Sequence, residues 1–100
     1  MLESAFSTKV LRLLRADIIG HWRKNPASAF AASGVADIIG CVQGRYIEVE
    51  LKAPGKYAHP LQGCTVNQLH HGTEIKMHGG IWVCGDDYAK ISEELREKLL

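Results

Sequence analysis

Polar and apolar residues alternate with two different periods along this chain, and the switches between them predict its elements. In "LESAFSTKVLRLLR" (2–15) Phe6, Val10, Leu13 and Leu14 recur at helical spacing while Lys9, Arg12 and Arg15 point elsewhere. That is the pattern of an amphipathic first helix. "DIIGHWR" (17–23) reads as a short strand or extended stretch, and "KNPASAFAASG" (24–34) as a small-residue loop containing Pro26. "VADIIGCV" (35–42) and "RYIEVELK" (45–52) are β-rich runs on either side of "QG", which predicts a hairpin. "APGKYAHPLQGC" (53–64), with two prolines and two glycines, predicts a loop. Thr65 is suited to cap a helix reaching about Met77 and closed by "HGG". "IWVC" (81–84) predicts a strand buried on both faces, and "DDYAKISEELREKLL" (86–100) a last amphipathic helix carrying Ile91, Leu95 and Leu99 on one side.

The order is therefore helix, strand, hairpin, helix, strand, helix. A helical crossover between the hairpin and the last strand predicts an α/β fold with a mixed central sheet flanked by helices on both faces. With 100 residues there is one domain, residues 1–100, and no room for a second core. The segment "ADIIG" occurs at 16–20 and again at 36–40, once after a helix and once opening a hairpin. Nothing around the two copies matches, so they do not form a repeat.

Composition narrows the class only modestly. A hydrophobic content of 46% and a charged content of 23% are those of an ordinary soluble globular protein. No apolar run approaches the roughly 20 residues of a membrane span, and the opening segment lacks a signal-peptide core, which predicts a cytoplasmic protein without a membrane partner. Cys41, Cys64 and Cys84 are odd in number and lack CxxC spacing; they suit a reducing compartment and read as small core fillers. His59, His70, His71 and His78 fit no zinc-ligand spacing, because adjacent His70 and His71 point apart on a helix. Net charge is +1, so any nucleic-acid contact has to come from local clusters such as "HWRKN" (21–25) and "KAPGK" (52–56). Trp22, Arg23, Lys24 and Lys56 are the candidates, as an aromatic for base stacking and cations for phosphate. The same basic residues could equally form a solvated edge.

Candidate chemistry concentrates on the hairpin. Strand alternation puts Tyr46, Glu48, Glu50 and Lys52 on one face and Ile47, Val49 and Leu51 on the other. With the turn at Gln43–Gly44, Asp37 falls opposite approximately Glu50, where cross-strand Cβ atoms lie about 4.5–5.5 Å apart and like charges repel. A divalent cation between the two carboxylates removes that repulsion, and hard oxygen donors favour Mg²⁺ or Mn²⁺ over zinc. A partly buried salt-bridge network among Asp37, Glu50 and Lys52 without catalysis satisfies the same charges. Glu48 lies about 6.6 Å further along the strand and is either a metal ligand or water-holder, or the partner of a basic residue.

"GVAD", followed after one hairpin by "IEVELKAPGK", resembles the PD-(D/E)xK nuclease superfamily, and most of all its stand-alone VRR-NUC domains. Asp37 corresponds to the motif aspartate, with Ala36 in place of the usual proline, and Glu50-Leu51-Lys52 to the (D/E)xK signature. Gly34 belongs to the same set, Gln68 of "TVNQ" corresponds to a helical glutamine, and Glu3 to an acidic residue of the first helix. The resemblance implies a restriction-endonuclease-like fold and metal-dependent cleavage of phosphodiester bonds. For stand-alone, virus- or prophage-type members it implies a homodimer acting in the host-cell cytoplasm on branched DNA such as four-way junctions, with no small-molecule cofactor. Asp37, Glu50 and the Leu51 main-chain carbonyl would then hold Mg²⁺, with Glu3 adding to the shell through a water. Lys52 would position the water or stabilise the developing anion, and Gln68 would orient the lysine or the water. Two further readings stand beside this one: a less selective flap or duplex nuclease or nickase, and a non-catalytic DNA-binding module that retains the fold.

Overall fold

A computed structural model describes residues 3–26, 35–55 and 63–100. Gly34 and Lys56 lie outside the described residues, as does most of both long loops expected from the sequence. Helix α1 (Glu3–Asp17) leads to strand β1 (His21–Lys24), then β2 (Ile38–Val42) and β3 (Arg45–Leu51). Helix α2 (Val66–Met77), strand β4 (Ile81–Gly85) and helix α3 (Tyr88–Leu99) complete the order. The strands form one sheet in the order β1-β2-β3-β4, antiparallel except for the parallel β3–β4 pair joined through α2. This is a small α/β domain with a mixed sheet, as the alternation of periods predicts.

The β2–β3 turn is short because Gln43 and Gly44 both adopt positive φ, 51° and 80°. That pair of angles is the two-residue turn whose twist matches the flanking strands. It sets the register Ile38↔Val49 and Gly40↔Ile47, so every alternate residue of the hairpin is committed to one face. Ile38, Ile47, Val49 and Leu51 face the main core together with Ile81 and Val83 of β4. Phe6, Val10 and Leu14 of α1 and Ile91 and Leu95 of α3 close over them, each row at helical spacing. Leu99 packs at the margin of this core. Asp87 caps α3 by accepting from Lys90 N–H at 3.1 Å.

The two "ADIIG" copies take different conformations, which supports reading them as unrelated. The first ends α1, with Ile18 buried and Ile19 95% exposed; the second enters β2, with Ile38 fully buried. Asp17 accepts a hydrogen bond from the Tyr88 hydroxyl at 2.7 Å and so ties α1 to α3.

Among the described residues, one helix packs on the other face of the sheet, over its β3–β4 half. Helix α2 lies over β4, close enough that a Cβ on Gly72 would fall 2.5 Å from the Trp82 ring. Lys76 follows one turn later, its Nζ 5.3 Å from the ring centroid. Among the described residues, no helix packs on the β1–β2 half of this face. Among the described residues, no helix is long and apolar enough to cross a membrane.

Candidate functional site

The row Glu48–Glu50 of β3 lies beneath α2, and both side chains are almost completely buried. Burying two carboxylates is costly unless each is hydrogen-bonded. Helix α2 supplies the donors in two steps. Gln68 Nε2 donates to Glu50 Oε1 at 2.8 Å, and one turn later His71 Nε2 lies 2.8 Å from Glu48 Oε1. Three helical residues advance about 4.5 Å and two strand residues about 6.6 Å, so a helix running antiparallel to β3 meets both acids in turn.

Gln68 is held by its own helix terminus. Thr65 is the N-cap, its hydroxyl accepting from Gln68 N–H at 3.1 Å while Gln68 Oε1 accepts from Thr65 N–H at 2.9 Å. This reciprocal pair is a capping box. The same Oε1 accepts from Lys52 Nζ at 2.8 Å. The amide orientation is thereby fixed, oxygen towards two donors and nitrogen towards a carboxylate. Lys52 Nζ is 3.7 Å from Glu50 Oε1, and its side chain is only 15% exposed. Glu50, Lys52 and Gln68 therefore form one part-buried, mutually hydrogen-bonded triad.

Asp37 immediately precedes β2, and the ladder continued by one rung from Ile38↔Val49 brings it level with Glu50. Its carbonyl accepts from Asn25 N–H at 2.8 Å, which extends the β1–β2 pairing to this residue. Its Oδ2 accepts from Leu51 N–H at 2.8 Å. A main-chain donor orients this carboxylate without neutralising it. Leu51 thus contributes its N–H to Asp37 while its side chain fills the core.

Glu48 is held by three groups. Besides His71, its Oε1 accepts from Ala36 N–H at 3.1 Å, and its Oε2 accepts from the Tyr46 hydroxyl. Burial, and then the bond to Glu48, push the Tyr46 hydroxyl up to about 12. His71 stands against Glu48 in the place of the basic partner that the sequence allows. Ala36 occupies the position where the resembled family carries proline, and a proline there would have no N–H to give Glu48. His71 and Tyr46 are the residues that sequence reasoning missed. The available signal was the three-residue spacing of Gln68 and His71 on the helix that crosses over β3.

Cys84 is the register neighbour of Glu50 on β4, and its Sγ lies 3.1 Å from Cys64 Sγ. Burial, then the contact with Cys64, push the Cys84 thiol up, so it stays protonated at neutral pH and offers no thiolate to a metal. The donors on this face are hard oxygens, a set that suits Mg²⁺ or Mn²⁺. Among the described residues no three His, Cys, Asp or Glu side chains converge as a ligand group. The set expected from the sequence has two, Asp37 and Glu50, completed by a main-chain carbonyl. Glu3 opens α1, and its side chain lies outside the described residues.

The proposed nucleic-acid residues separate. Trp22 is 2% exposed and donates from Nε1 to Ile18 carbonyl at 3.0 Å, so its ring belongs to the core and cannot stack on a base. This corrects the expectation of an aromatic platform. Strand alternation turns Trp22 inward and its neighbours outward, and Gly40 leaves the ring its space, since a Cβ there would fall 2.4 Å from it. Arg23 is exposed on the same face as Glu48 and Glu50, lining an open depression with His21, Ile39, Cys41 and Tyr46. Lys24 is exposed at the sheet edge on the opposite face. No protein-family model and no curated protein matches the chain.

Proposed function

We propose that this protein is a divalent-metal-dependent nuclease of restriction-endonuclease-like fold, related to the VRR-NUC domains it resembles, which hydrolyses phosphodiester bonds in branched DNA as a homodimer. The observation that carries this reading is the contact between Gln68, Glu50 and Lys52, with Asp37 tied to the intervening Leu51 N–H. A plain salt bridge between Glu50 and Lys52 needs neither the glutamine nor the second acid from the neighbouring strand. A reaction centre needs both, one to aim the lysine and one to share a cation.

Asp37, Glu50 and the Leu51 main-chain carbonyl are the groups that would hold the ion. A bound Mg²⁺ supplies Lewis-acid polarisation of the phosphate and a water of lowered pKa. Lys52 presents a fixed positive charge for the anion that develops at phosphorus. Gln68 restricts Lys52 to one direction, so little reorganisation is needed during reaction. Arg23, on the β1–β2 half of the same face, is suited to a backbone phosphate of the substrate. A two-fold axis relating two copies puts equivalent sites on strands of opposite polarity, as a symmetric junction requires.

The test is cleavage of a synthetic four-way junction with and without Mg²⁺, next to flap, linear duplex and RNA substrates. Paired, Mg²⁺-dependent incisions in the junction are expected, with Glu50→Ala and Lys52→Ala each slower by about 10²-fold or more. Wild-type rates in both variants would reject this site. Cleavage of flaps or duplex with no paired incisions would retain the nuclease and remove the junction preference.

A further inference from the structure

Cys64 and Cys84 come from opposite ends of the α2 crossover, one just before the Thr65 cap and the other in β4. Both are free thiols and half-buried, and their sulfurs approach to 3.1 Å. A disulfide bond is about 2.05 Å long, so closure requires the sulfurs to move together by only about 1 Å. The third cysteine, Cys41, is exposed and belongs to β2. The core-filler role expected of the cysteines describes none of the three. Neither Cys64 nor Cys84 belongs to the main core, and their sulfurs lie against each other.

We propose that Cys64 and Cys84 form a reversible disulfide that pins the start of α2 to the sheet. The oxidant is a small-molecule disulfide. At mildly alkaline pH the small thiolate fraction of one cysteine attacks it and releases one reagent thiol, leaving a mixed disulfide; the second cysteine, losing its proton as it reacts, displaces the other reagent thiol. Two electrons pass to the reagent, two protons leave the cysteines, and one sulfur–sulfur bond forms in the chain. The bond encloses all of α2 and anchors the residue next to Thr65, whose N–H holds Gln68 Oε1. Its other end is the register neighbour of Glu50, to which Gln68 Nε2 donates. The cross-link therefore spans the contact by which α2 is docked, and it removes freedom mainly from the unfolded chain.

Oxidised glutathione applied to the purified full chain tests this without reference to any nuclease activity. Titratable thiols should fall from three to one, peptide mapping should find Cys64 joined to Cys84, and dithiothreitol should reverse both. The oxidised form should melt higher by roughly 15 °C, the order expected when a loop of about 20 residues is closed. Cys41→Ser should keep the rise, whereas Cys64→Ser and Cys84→Ser should each abolish it. The proposal is overturned if Cys64 and Cys84 remain open to alkylation or end as separate glutathione adducts. It is equally overturned if the rise in melting temperature persists in Cys64→Ser.

Discussion

Gln68 and Glu50 lie 18 residues apart in the chain, yet their side chains meet at 2.8 Å between helix α2 and strand β3. The contact joins two levels of organisation. Locally, Gln68 is the third residue of a capping box that starts a helix. Globally, the same amide donates to a carboxylate that is only 3% exposed.

Gln68→Ala removes the capping-box acceptor, the Lys52 acceptor and the Glu50 donor together. Losing the glutamine half of the capping box costs up to about 1 kcal/mol and losing a buried hydrogen bond to a charged group about 1–3 kcal/mol, so a total of roughly 2–4 kcal/mol is expected. Urea denaturation measures it. On the nuclease reading, single-turnover cleavage should slow while DNA affinity changes little, because Gln68 aims Lys52 and does not itself bind substrate. A loss confined to affinity would place Gln68 among the binding groups instead.

Gly72→Ala separates helix propensity from packing. In an exposed helix interior the change stabilises by about 1 kcal/mol. Here the new methyl would meet three Trp82 ring carbons at 2.5, 2.7 and 2.9 Å, and the ring is itself buried. Overpacking of this kind costs about 1–3 kcal/mol, so net destabilisation is expected. A rise in the urea midpoint would show that α2 is not docked as closely as described.

Much of this architecture is legible in the sequence because it is written in local chemistry. Thr65 with Gln68 three residues later marks a helix start, and Gln43–Gly44 between β-rich runs marks a tight hairpin. Phe6, Val10 and Leu14 mark a buried helical face. What is not legible depends on which surfaces meet. The contact face of α2 combines a glycine against Trp82 with Gln68 and His71 against Glu50 and Glu48, so an apolar period does not reveal which way the helix turns. Trp22 stands in "HWRK", a segment that reads as surface, and only the absence of a side chain at Gly40 across the strand makes room for its ring. The Cys64–Cys84 approach joins residues 20 positions apart through a crossover whose path no short pattern encodes.

Alkaline pH should weaken the fold through two tyrosines. Burial, reinforced by hydrogen bonds to Glu48 and Asp17 respectively, raises Tyr46 and Tyr88 from 10.0 to about 12. The folded state favours the neutral phenols. Their contribution is therefore fully present below pH 10 and is lost as pH rises through about 12. Urea midpoints of wild type and of the Tyr46→Phe/Tyr88→Phe double variant, followed from neutral pH through this window, provide the comparison. The double variant should be less stable at neutral pH and should lose less on the way up. Parallel decline of the two proteins would remove the tyrosines from the account.

Glu48 and Glu50 are one strand repeat apart on the same face, and the geometry gives them different work. Glu48 joins Ala36 N–H, the Tyr46 hydroxyl and His71, which fixes the backbone just before Asp37. Glu48→Ala leaves the buried Ala36 N–H without this acceptor, while Tyr46 and His71 are partly exposed, and should cost about 1–3 kcal/mol. Glu48→Gln keeps one oxygen to accept from Ala36 and His71, and its amide can donate to the Tyr46 oxygen, so a loss of only about 1 kcal/mol is expected. If Glu50 holds the ion and Glu48 only positions the chain, Glu48→Gln should retain most Mg²⁺-dependent cleavage and its Mn²⁺ uptake by calorimetry. Glu50→Gln should then lose about 10²-fold in rate, with weaker ion binding. The reverse result, a stable Glu48→Gln protein that no longer takes up Mn²⁺, would move the metal one repeat along the strand and assign Glu50 to the structural role.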